Sequence, residues 1–431
     1  MFGKDVSRRQ FLRRSLAAAA CVIVPRHVLG GPGNTAPSDI LTHAVIGVGG
    51  MGTGHVNMAL SDKRARLAAV CDVDAKHLDR ALRKAGADCK GYKDFRDVLD
   101  RGDIDIVHIA TPPHWHALIS VAAAKAGCDV WCEKPMTRSL YEGRAVADAV
   151  RRNGRMFRLN TWFRLYGGFY GFGSPVKPIK KLVSSGLLGW PLTVRVNPAT
   201  GFYWKVKKDL GRTDLKPEPV PPELDYDMWL GPAPLKPYNP ARVHYRFRAY
   251  WDYDNGGLGD MAQHYLDPVQ YILGKDDTSP VEVEANAPWP QHPDAVGYWG
   301  RVEMKYADGC RIILESGEWG EMPAEDQPYI EGPKGRLYQG LRLDPPDLAG
   351  ALAGLPDPEP MISDFYTSVT TRRKFGLNEA NGMRSNILVH LASIAIRTGR
   401  RLRFDPVAQR FIGDEEADRL AYPPMRAPWT L

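Results

Sequence analysis

The sequence contains few cysteines and no long apolar run. Only six cysteines occur in 431 residues, and no two of them are spaced Cys-x-x-Cys. A disulfide framework and a structural zinc site are therefore poorly supported, and we expect the cysteines to act as small buried hydrophobes. The uncharged stretch at residues 15–24 is shorter than the roughly 17 to 25 residues that a membrane-spanning helix needs. With 44% hydrophobic and 25% charged residues, the composition is that of a folded globular protein.

Excess charge of one sign is also scarce outside the first 30 residues. The formal charge is +7, from 57 basic and 50 acidic residues. Six basic residues and one acidic residue precede position 31, so +5 of this charge lies there and the rest of the chain carries only +2. A nearly neutral body without a basic and aromatic stripe gives little support for a nucleic-acid partner.

The basic start has a pattern of its own. Residues 7–13 read Ser-Arg-Arg-Gln-Phe-Leu-Arg and precede the short apolar stretch. This pattern resembles a twin-arginine signal peptide. The resemblance predicts residues 1–30 as a leader, residues 31–40 as a linker, and export to the periplasm with the twin-arginine machinery as a partner. A basic arm on a cytoplasmic protein and a lipoprotein site at Ala20-Cys21 are the alternatives.

Residues 41–162 alternate apolar, strand-like runs with amphipathic, helix-like segments. Strands are predicted at residues 43–48, 67–71, 104–110, 129–133 and 155–160. Helices are predicted between them at residues 75–85, 116–126 and 139–153. Strands that alternate with helices of this length are typical of βαβ units. The predicted fold class is therefore α/β, with an N-terminal Rossmann domain built on a doubly wound parallel sheet.

The pattern changes after residue 162. Alternating polar and apolar residues predict strands at residues 192–196, 281–285, 298–306 and 311–316. Asp308-Gly309 favours a hairpin between the last two strands. Such strands predict a C-terminal α+β domain at residues 163–400 with a large, mostly antiparallel open sheet. Residues 401–431 are expected to form a C-terminal tail.

A glycine-rich turn follows the first predicted strand. It matches G-x-G-x-x-G and reads Gly47-Val48-Gly49-Gly50-Met51-Gly52. A helix-like segment comes next, and the second strand ends at Asp72, 20 residues after Gly52. In this context the glycines let a pyrophosphate approach the helix N-terminus, while Asp72 bonds the adenosine ribose and repels a 2′-phosphate. The motif predicts NAD as cofactor, with NADP disfavoured, and Asp74 is expected to cap the next helix.

Two further motifs follow later strands of the predicted Rossmann sheet. They read Thr111-Pro112-Pro113-His114-Trp115-His116 and Cys132-Glu133-Lys134-Pro135. Both lie at the carboxyl ends of strands, where open α/β sheets bind their ligands. Together with the glycine turn they resemble the glucose-fructose oxidoreductase, inositol dehydrogenase and MocA-like oxidoreductase family. The resemblance implies cofactor contacts from the glycine turn and from Thr111, Pro112, His116, Glu133 and Lys134.

A third motif lies in the second half of the chain. Residues 260–267 read Asp-Met-Ala-Gln-His-Tyr-Leu-Asp, which resembles the Asp-x-x-x-His-x-x-Asp helix of the same family. The spacing puts Asp260, His264 and Asp267 on one helical face. His264 is the candidate that takes a hydroxyl proton, while Lys134 lowers the pKa of that hydroxyl and Asp260 orients either group.

Substrate contacts are assigned by the resemblance and by the aromatic residues. The expected contacts are Arg164, Tyr166, Tyr250 and Asp267. Aromatic rings with hydrogen-bond donors beside them suit the binding of a sugar ring. Such rings occur in the loop at residues 166–172 and in the stretch at residues 244–254. The alternatives are a core or interface role for the aromatic residues, a surface ion pair for Arg164 and a capping role for Asp267.

No metal site is expected from the histidines. His114 and His116 lack an acidic or thiol partner at their strand tip, and His264 belongs to the motif above. A homo-oligomer formed through the sheet of the second domain is implied by the family.

The motifs together predict an enzyme. We expect an exported oxidoreductase that transfers hydride between NAD and a hydroxyl of a sugar, glycoside or polyol. Because a periplasm is not expected to hold free NAD, the cofactor is expected to be tightly bound and regenerated in place. One alternative is a glycosidase that oxidises a sugar transiently, with Tyr245, Tyr250 or His244 as a base, and another is a non-catalytic sugar-binding protein.

Overall fold

The computed structural model describes residues 40–165 and 173–431, which are organised around two sheets. The strands of the first sheet are β1 (Leu41–Ile46), β2 (Ala65–Cys71), β3 (Lys90–Tyr92), β4 (Ile106–Ile109), β5 (Asp129–Glu133) and β6 (Phe157–Asn160). The helices of this domain are α1 (Gly50–Ser61), α2 (Ala75–Ala85), α3 (Phe95–Leu99), α4 (His116–Lys125) and α5 (Leu140–Arg152). The strand order is β3-β2-β1-β4-β5-β6 and every pair is parallel. This order is the doubly wound Rossmann order, which confirms the predicted fold class.

Local sequence explains most of these elements. Strands β4 and β5 are buried along their whole length, as expected for the centre of a parallel sheet covered on both faces. Asp74 caps α2 by accepting hydrogen bonds from two backbone N–H groups, as predicted. Ser139 and Glu142 form a capping box at α5. The short elements β3 and α3 were not predicted, since three and five residues give too little periodicity.

The second domain contains a nine-stranded sheet. Its strands are β7 (Thr193–Val196), β8 (Glu282–Asn286), β9 (Arg301–Lys305), β10 (Arg311–Glu315), β11 (Ile330–Gly332), β12 (Gly335–Tyr338), β13 (Arg342–Asp344), β14 (Leu402–Asp405) and β15 (Arg410–Phe411). Its helices are α6 (Val176–Ser184), α7 (Tyr226–Leu230), α8 (Gly256–Leu273), α9 (Leu348–Ala353), α10 (Phe365–Thr371), α11 (Glu379–Thr398) and α12 (Glu415–Ala421). The strand order is β13-β12-β11-β7-β10-β9-β8-β14-β15, and only β7 and β10 pair in parallel. The sheet is therefore mostly antiparallel, as predicted.

The expectation of a C-terminal tail at residues 401–431 is corrected by the structure. Strand β14 pairs with β8 and extends the large sheet. Leu402 and Phe404 are buried while Arg403 between them is exposed, which is the alternation of a half-buried strand. The chain then returns to the first domain, where Trp429 and Leu431 pack against the core of the Rossmann sheet.

A long connection between β7 and α8 crosses from the second domain to the first. We call residues 198–255 the crossover segment. Its backbone bonds to the connection from β2 to α2, because Ala75 N donates to Glu223 O and Asp225 N donates to Val73 O. The segment has an apolar cluster of its own, built around Trp229, Tyr250 and other buried residues. It therefore covers the carboxyl edge of the Rossmann sheet.

The structure also shows the state of the cysteines and whether a described helix could span a membrane. The five cysteines within the described residues are unpaired and buried, as predicted. No helix within residues 40–165 and 173–431 is long and apolar enough to cross a membrane. The predicted leader at residues 1–30 and the linker at residues 31–40 lie outside the described residues except for Ile40.

Candidate active site

A pocket of about 490 Å³ lies between the Rossmann sheet and the second domain. The glycine turn and the ends of β2, β4 and β5 form one wall. Helix α8 and the crossover segment form the other wall. The pocket thus lies at the carboxyl edge of the parallel sheet, where the sequence motifs predict the ligand crevice.

The glycine turn has the geometry that a dinucleotide requires. Gly47 has a φ of +82°, and a Cβ atom there would lie 2.7 Å from Thr111 N. A Cβ atom on Gly52 would lie 1.8 Å from the carbonyl oxygen of Gly47, so neither position tolerates a side chain. Gly50 faces open space, and no side chain caps the N-terminus of α1. Gly49, Gly50 and Met51 line the pocket, so this helix end fits a pyrophosphate.

Asp72 lies where the ribose of that dinucleotide would be bound. Its Oδ2 accepts a hydrogen bond from Val48 N at 2.8 Å, and its Oδ1 accepts one from Asp74 N at 2.9 Å. The carboxylate is therefore fixed beside the glycine turn and lines the pocket. This placement agrees with the predicted role in NAD selection.

The residues at the tip of β4 divide into two groups. Thr111 and Pro112 line the pocket, as expected for cofactor contacts. His116 is buried and does not line it, since its two ring nitrogens lie 2.8 Å from the carbonyl oxygens of Thr111 and Pro135. Burial lowers the pKa of His116. The structure thus corrects the predicted cofactor contact of His116, which braces the ends of β4 and β5 against each other.

Lys134 and Asp260 bring the two domains together. Lys134 Nζ donates to Asp260 Oδ1 at 2.8 Å and to the carbonyl oxygen of the same residue at 2.5 Å. Lys205 Nζ lies 3.0 Å from Asp260 Oδ2, and Arg248 Nε lies 3.0 Å from Oδ1. Burial opposes ionisation of Asp260, but Lys134, Arg248 and Lys205 outweigh it and hold the pKa well below its ordinary value. Three cations around one carboxylate leave this end of the pocket positively charged.

His264 lies one helical turn after Asp260 and lines the same pocket. Its Nδ1 lies 2.7 Å from the hydroxyl oxygen of Thr161. Burial, helped by the charge of Lys134, lowers the pKa of His264 well below its ordinary value. The imidazole is therefore neutral near pH 7, which is the form that accepts a proton.

Two predicted substrate contacts form a buried ion pair instead. Arg164 donates to both carboxylate oxygens of Asp267, at 2.8 and 3.0 Å, and also to Asp276. The side chains of Arg164 and Asp267 are 1% and 0% exposed, and neither lines the pocket. The predicted substrate contacts of Arg164 and Asp267 are therefore corrected. A buried guanidinium needs carboxylate partners, and this one ties the end of β6 to α8.

The structure also tests the aromatic residues that were predicted to contact the substrate. Tyr250 is 1% exposed and packs beneath the guanidinium of Arg242 in the crossover cluster, so its predicted substrate contact is corrected. Tyr166 lies outside the described residues, and its role stays a prediction. Tyr245 and Phe247, in the aromatic stretch at residues 244–254, do line the pocket.

Sequence reasoning missed Lys93 and Lys205, two cationic residues that line the pocket. Lys205 has a φ of +55° and belongs to no motif, so nothing in the sequence identifies it. Arg248 lies in the aromatic stretch at residues 244–254 that the sequence analysis singled out. Among the described residues, Asp74, His77 and His244 offer ligand atoms within 4.8 Å of one another, a cluster that the sequence analysis did not consider.

The chain resembles solved structures over most of its length and curated relatives over a smaller share of it. Inositol 2-dehydrogenase of Salmonella typhimurium is 30% identical over 194 residues, which is 44% of this chain and 54% of the relative. The chain thus spans about half the length of the first curated relatives that it matches. Myo-inositol 2-dehydrogenase of Thermotoga maritima is 26% identical over 68% of this chain and 73% of its own. The WlbA dehydrogenase of Bordetella pertussis, solved with NADH and UDP-GlcNAcA, shares the fold with a TM-score of 0.57 at 18% identity, over 85% of this chain and 99% of its own.

Two family models match almost all the described residues. The model described as "Oxidoreductase family, NAD-binding Rossmann fold" matches residues 41–161. The model described as "Oxidoreductase family, C-terminal alpha/beta domain" matches residues 172–431. The match agrees with three features of the structure. These are the glycine turn, the Rossmann strand order and the pocket between the two domains. The chain therefore belongs to the GFO/IDH/MocA oxidoreductase family, and its first domain is the NAD-binding domain of that family.

Proposed function

We propose that this protein is an oxidoreductase that transfers hydride between NAD and a hydroxyl of a sugar, glycoside or polyol. The observation that carries the proposal is the meeting of Lys134, Asp260 and His264 in one pocket that begins at the glycine turn. The names of the inositol dehydrogenase relatives support the substrate class. A non-catalytic sugar-binding protein has no need for a cation, a carboxylate and a neutral imidazole held together.

Each group has a distinct task. The nicotinamide, when bound, supplies the hydride acceptor. The Lys134 ammonium, oriented by Asp260, binds the oxygen of the reacting hydroxyl and lowers its pKa. His264, kept neutral by burial, accepts the hydroxyl proton. Lys205 and Arg248 keep the site positively charged, which stabilises negative charge on that oxygen as the proton leaves.

We further propose that NAD stays bound through the catalytic cycle and during export. The resemblance of residues 1–30 to a twin-arginine signal supports export to the periplasm through the twin-arginine machinery, a route used by proteins that fold first. The crossover segment supports retention, because it is bonded to the connection from β2 to α2 and places His244, Tyr245 and Phe247 along the pocket. Release of NAD then requires part of this segment to move.

Two measurements test the function. Protein purified from the periplasm, once denatured, should release about one nicotinamide per chain. A panel of sugars and polyols, followed by the near-ultraviolet absorbance of reduced nicotinamide and by product mass, should identify a substrate that is oxidised to a keto product. If the purified protein carries no NAD and binds it weakly, retention of the cofactor is contradicted. If no sugar or polyol of the panel reduces the bound NAD, the oxidoreductase function is contradicted.

A glycosidase that works by transient oxidation is the second candidate. The observation that favours it is the presence of Tyr245 and His244 in the pocket, where a base beside the sugar ring is required. The ring of Tyr245 lies about 5 Å from the Lys208 ammonium and the Arg248 guanidinium. Release of the aglycone from an aryl glycoside without net formation of NADH supports this function. A stable keto sugar supports the dehydrogenase.

We also propose a homo-oligomer formed through the second sheet. Neighbouring strands of the sheet carry paired charges of both signs, as in Arg195–Glu331 and Arg301–Glu315. A surface with both signs can be self-complementary across a two-fold axis. Light scattering should give a multiple of the monomer mass, and a monomer at working concentration contradicts the proposal.

A further inference from the structure

Lys205 is held in an unfavourable backbone conformation beside the active site. Its φ is +55°, in the left-handed region that a residue with a Cβ atom rarely adopts. The residue lines the pocket, and its ammonium lies 3.0 Å from Asp260 Oδ2. Strained residues persist only where the surrounding structure imposes the conformation, and they cluster at ligand sites. The strain therefore indicates a task for the Lys205 side chain.

The turn that carries Lys205 is fixed by its neighbours. Before it, Trp204 is fully buried, and its indole N–H donates to a backbone carbonyl of β7 at 3.2 Å. After it, Val206 N and Lys207 N each donate to the Glu318 carboxylate at 2.8 Å. The backbone is thus held on both sides of Lys205.

Helix α8 also packs closely against this turn. A Cβ atom on Gly257 would lie 2.0 Å from the carbonyl oxygen of Trp204 and 2.9 Å from the carbonyl carbon and oxygen of Lys205. Only glycine allows this approach. Asp260 follows Gly257 by about one helical turn, so the same contact sets the position of the Lys205 ammonium relative to the Asp260 carboxylate.

Arg248 is a second cation at this end of the pocket. Its Nε donates to Asp260 Oδ1 at 3.0 Å, and its Nη1 donates to the carbonyl oxygen of Tyr245 at 3.2 Å. The guanidinium lies 4.6 Å from the ring of Tyr245 and 4.8 Å from that of Phe247. These contacts fix the plane of the guanidinium, whose side chain is 16% exposed and lines the pocket.

Both cations keep hydrogen-bond donors that no protein group uses. An ammonium has three N–H groups, and within the described residues Lys205 Nζ has one acceptor, Asp260 Oδ2. Over the same residues, the Nη2 group of Arg248 has no acceptor. We call Lys205 and Arg248 the cation pair. Its remaining donors lie along the pocket, where a ligand can accept from them.

The charges around the cation pair do not balance. Asp260 is shared with Lys134, so one carboxylate serves three cations. Asp209 and Asp254 are the neighbouring carboxyl groups, and burial raises the pKa of both, to about 7 for Asp254. They therefore offset only part of the positive charge. A surplus of positive charge in a partly enclosed pocket attracts an anion.

We propose that the cation pair binds a carboxylate of the substrate, so that the substrate is a sugar acid. The inference rests on the proposed function, because it names the substrate class of the same active site. Lys134 and Lys205 bond to the two different oxygens of Asp260, which keeps their ammonium groups within the reach of one monosaccharide. A carboxylate bound to the pair thus leaves a hydroxyl of the same ring at Lys134.

A carboxylate fits the cation pair better than a phosphate does. A carboxylate has one negative charge and two oxygens, and the pair offers one cation to each oxygen. A phosphate carries nearly two charges on three oxygens, one of which would have no cation of the pair. The acid of a sugar is therefore the expected substrate, and the phosphate of the same sugar is an alternative that the test must separate.

The test compares four forms of one sugar on the holoenzyme. These are an aldohexose, its uronic acid, the uronamide and the 6-phosphate, each in the gluco, galacto and manno configurations. The acid and the amide have the same shape, but only the acid is charged. The near-ultraviolet absorbance of reduced nicotinamide gives the rate of reduction at each concentration. From this the half-saturating concentration and the limiting rate follow.

The wild-type protein should distinguish the acid from the amide by binding. Loss of the charge-assisted bonds should raise the half-saturating concentration about thirtyfold or more from acid to amide. The limiting rate should change less than about fivefold, because Lys134 and His264 act on the hydroxyl in both compounds. The neutral aldohexose should resemble the amide. This comparison needs no variant, so it does not depend on whether a substituted protein folds.

Lys205→Met assigns the preference to the cation pair. The substitution removes the ammonium and leaves Asp260 with Lys134 and Arg248, so we expect about a tenfold or greater rise in half-saturating concentration for the acid and less than about a twofold change for the amide. Lys207→Met is the matched control. Its side chain is exposed and does not line the pocket, so both compounds should behave as with wild type.

Three results overturn the inference. One is equal half-saturation by acid and amide in wild type, and another is an equal loss of both in Lys205→Met. The third is a preference for the 6-phosphate over the acid, which would assign the pair to a phosphate. If no form of any sugar or polyol reduces the bound cofactor, the proposed function fails instead.

Discussion

Lys134 Nζ donates to Asp260 Oδ1 at 2.8 Å, and this ion pair joins the end of β5 in the Rossmann domain to the first turns of α8 in the second domain. The cation that binds the hydroxyl and the carboxylate that orients it therefore come from different domains. The active site exists only when the two domains are assembled.

Replacement of Asp260 tests the electrostatics of this pair. Asp260→Asn leaves Lys134, Lys205 and Arg248 without their common carboxylate, and we expect a loss of about 3 kcal/mol of folding free energy. Because the folded pKa of Asp260 is depressed, its contribution is fully present above about pH 4 and is lost as the pH falls below that. The difference in thermal midpoint between wild type and Asp260→Asn should thus be largest near pH 7 and shrink below pH 4. A difference that is constant over this range contradicts the account.

The glycine turn gives a second prediction. Gly52→Ala forces a Cβ atom against the carbonyl oxygen of Gly47, so we expect a loss of about 3 kcal/mol and loss of bound NAD. Gly54→Ala is the matched control, since nothing lies within 4 Å of its Cβ position in the same helix. That variant should be unchanged or more stable by up to about 1 kcal/mol. Denaturant unfolding and nicotinamide content check both variants, and a folded, NAD-loaded Gly52→Ala variant contradicts the close approach.

Cofactor choice gives a third prediction. Asp72→Asn removes the charge that repels a 2′-phosphate, so the ratio of NAD affinity to NADP affinity should fall about tenfold or more. Asp74→Asn is the control, because asparagine caps a helix as well as aspartate and Asp74 does not line the pocket. Fluorescence titration with both dinucleotides, after removal of the bound nucleotide, measures the ratio. An unchanged ratio in Asp72→Asn contradicts the assignment.

The buried Arg164–Asp267 pair gives a fourth prediction. Arg164→Met leaves Asp267 without its cation, and we expect a loss of about 3 to 5 kcal/mol of folding free energy. The KM for the sugar should change less than twofold, because Arg164 does not line the pocket. Thermal unfolding and steady-state kinetics together separate the two effects. A raised KM for the sugar together with an unchanged folding free energy would show instead that Arg164 contacts the substrate.

The Rossmann half of the site was predictable because its chemistry is local. Gly47, Gly52 and Asp72 act within one strand, one turn and the next strand, so their spacing carries the prediction. Lys134 and His264 were predictable only through the family resemblance. These two residues lie far apart in sequence, and no periodic pattern shows that they meet in the fold.

The errors arose where the choice of partner depends on tertiary structure. Nothing in the sequence shows that Arg164 bonds to Asp267 and Asp276, so its side chain could equally face a substrate. The same limit hid the contact between Tyr366 Oη and His43 Nε2, whose residues are 323 positions apart. The strand at residues 402–405 was read as a tail because four alternating residues carry too weak a signal.

The most direct test of the central claim is the reduction of bound cofactor in wild type and His264→Ala. After mixing with a sugar substrate, wild type should develop the near-ultraviolet absorbance of reduced nicotinamide. His264→Ala should retain the same amount of NAD but reduce it at least a hundredfold more slowly, since it lacks the group that accepts the hydroxyl proton. Equal rates in the two proteins, or no reduction in wild type with any sugar or polyol, contradict the account.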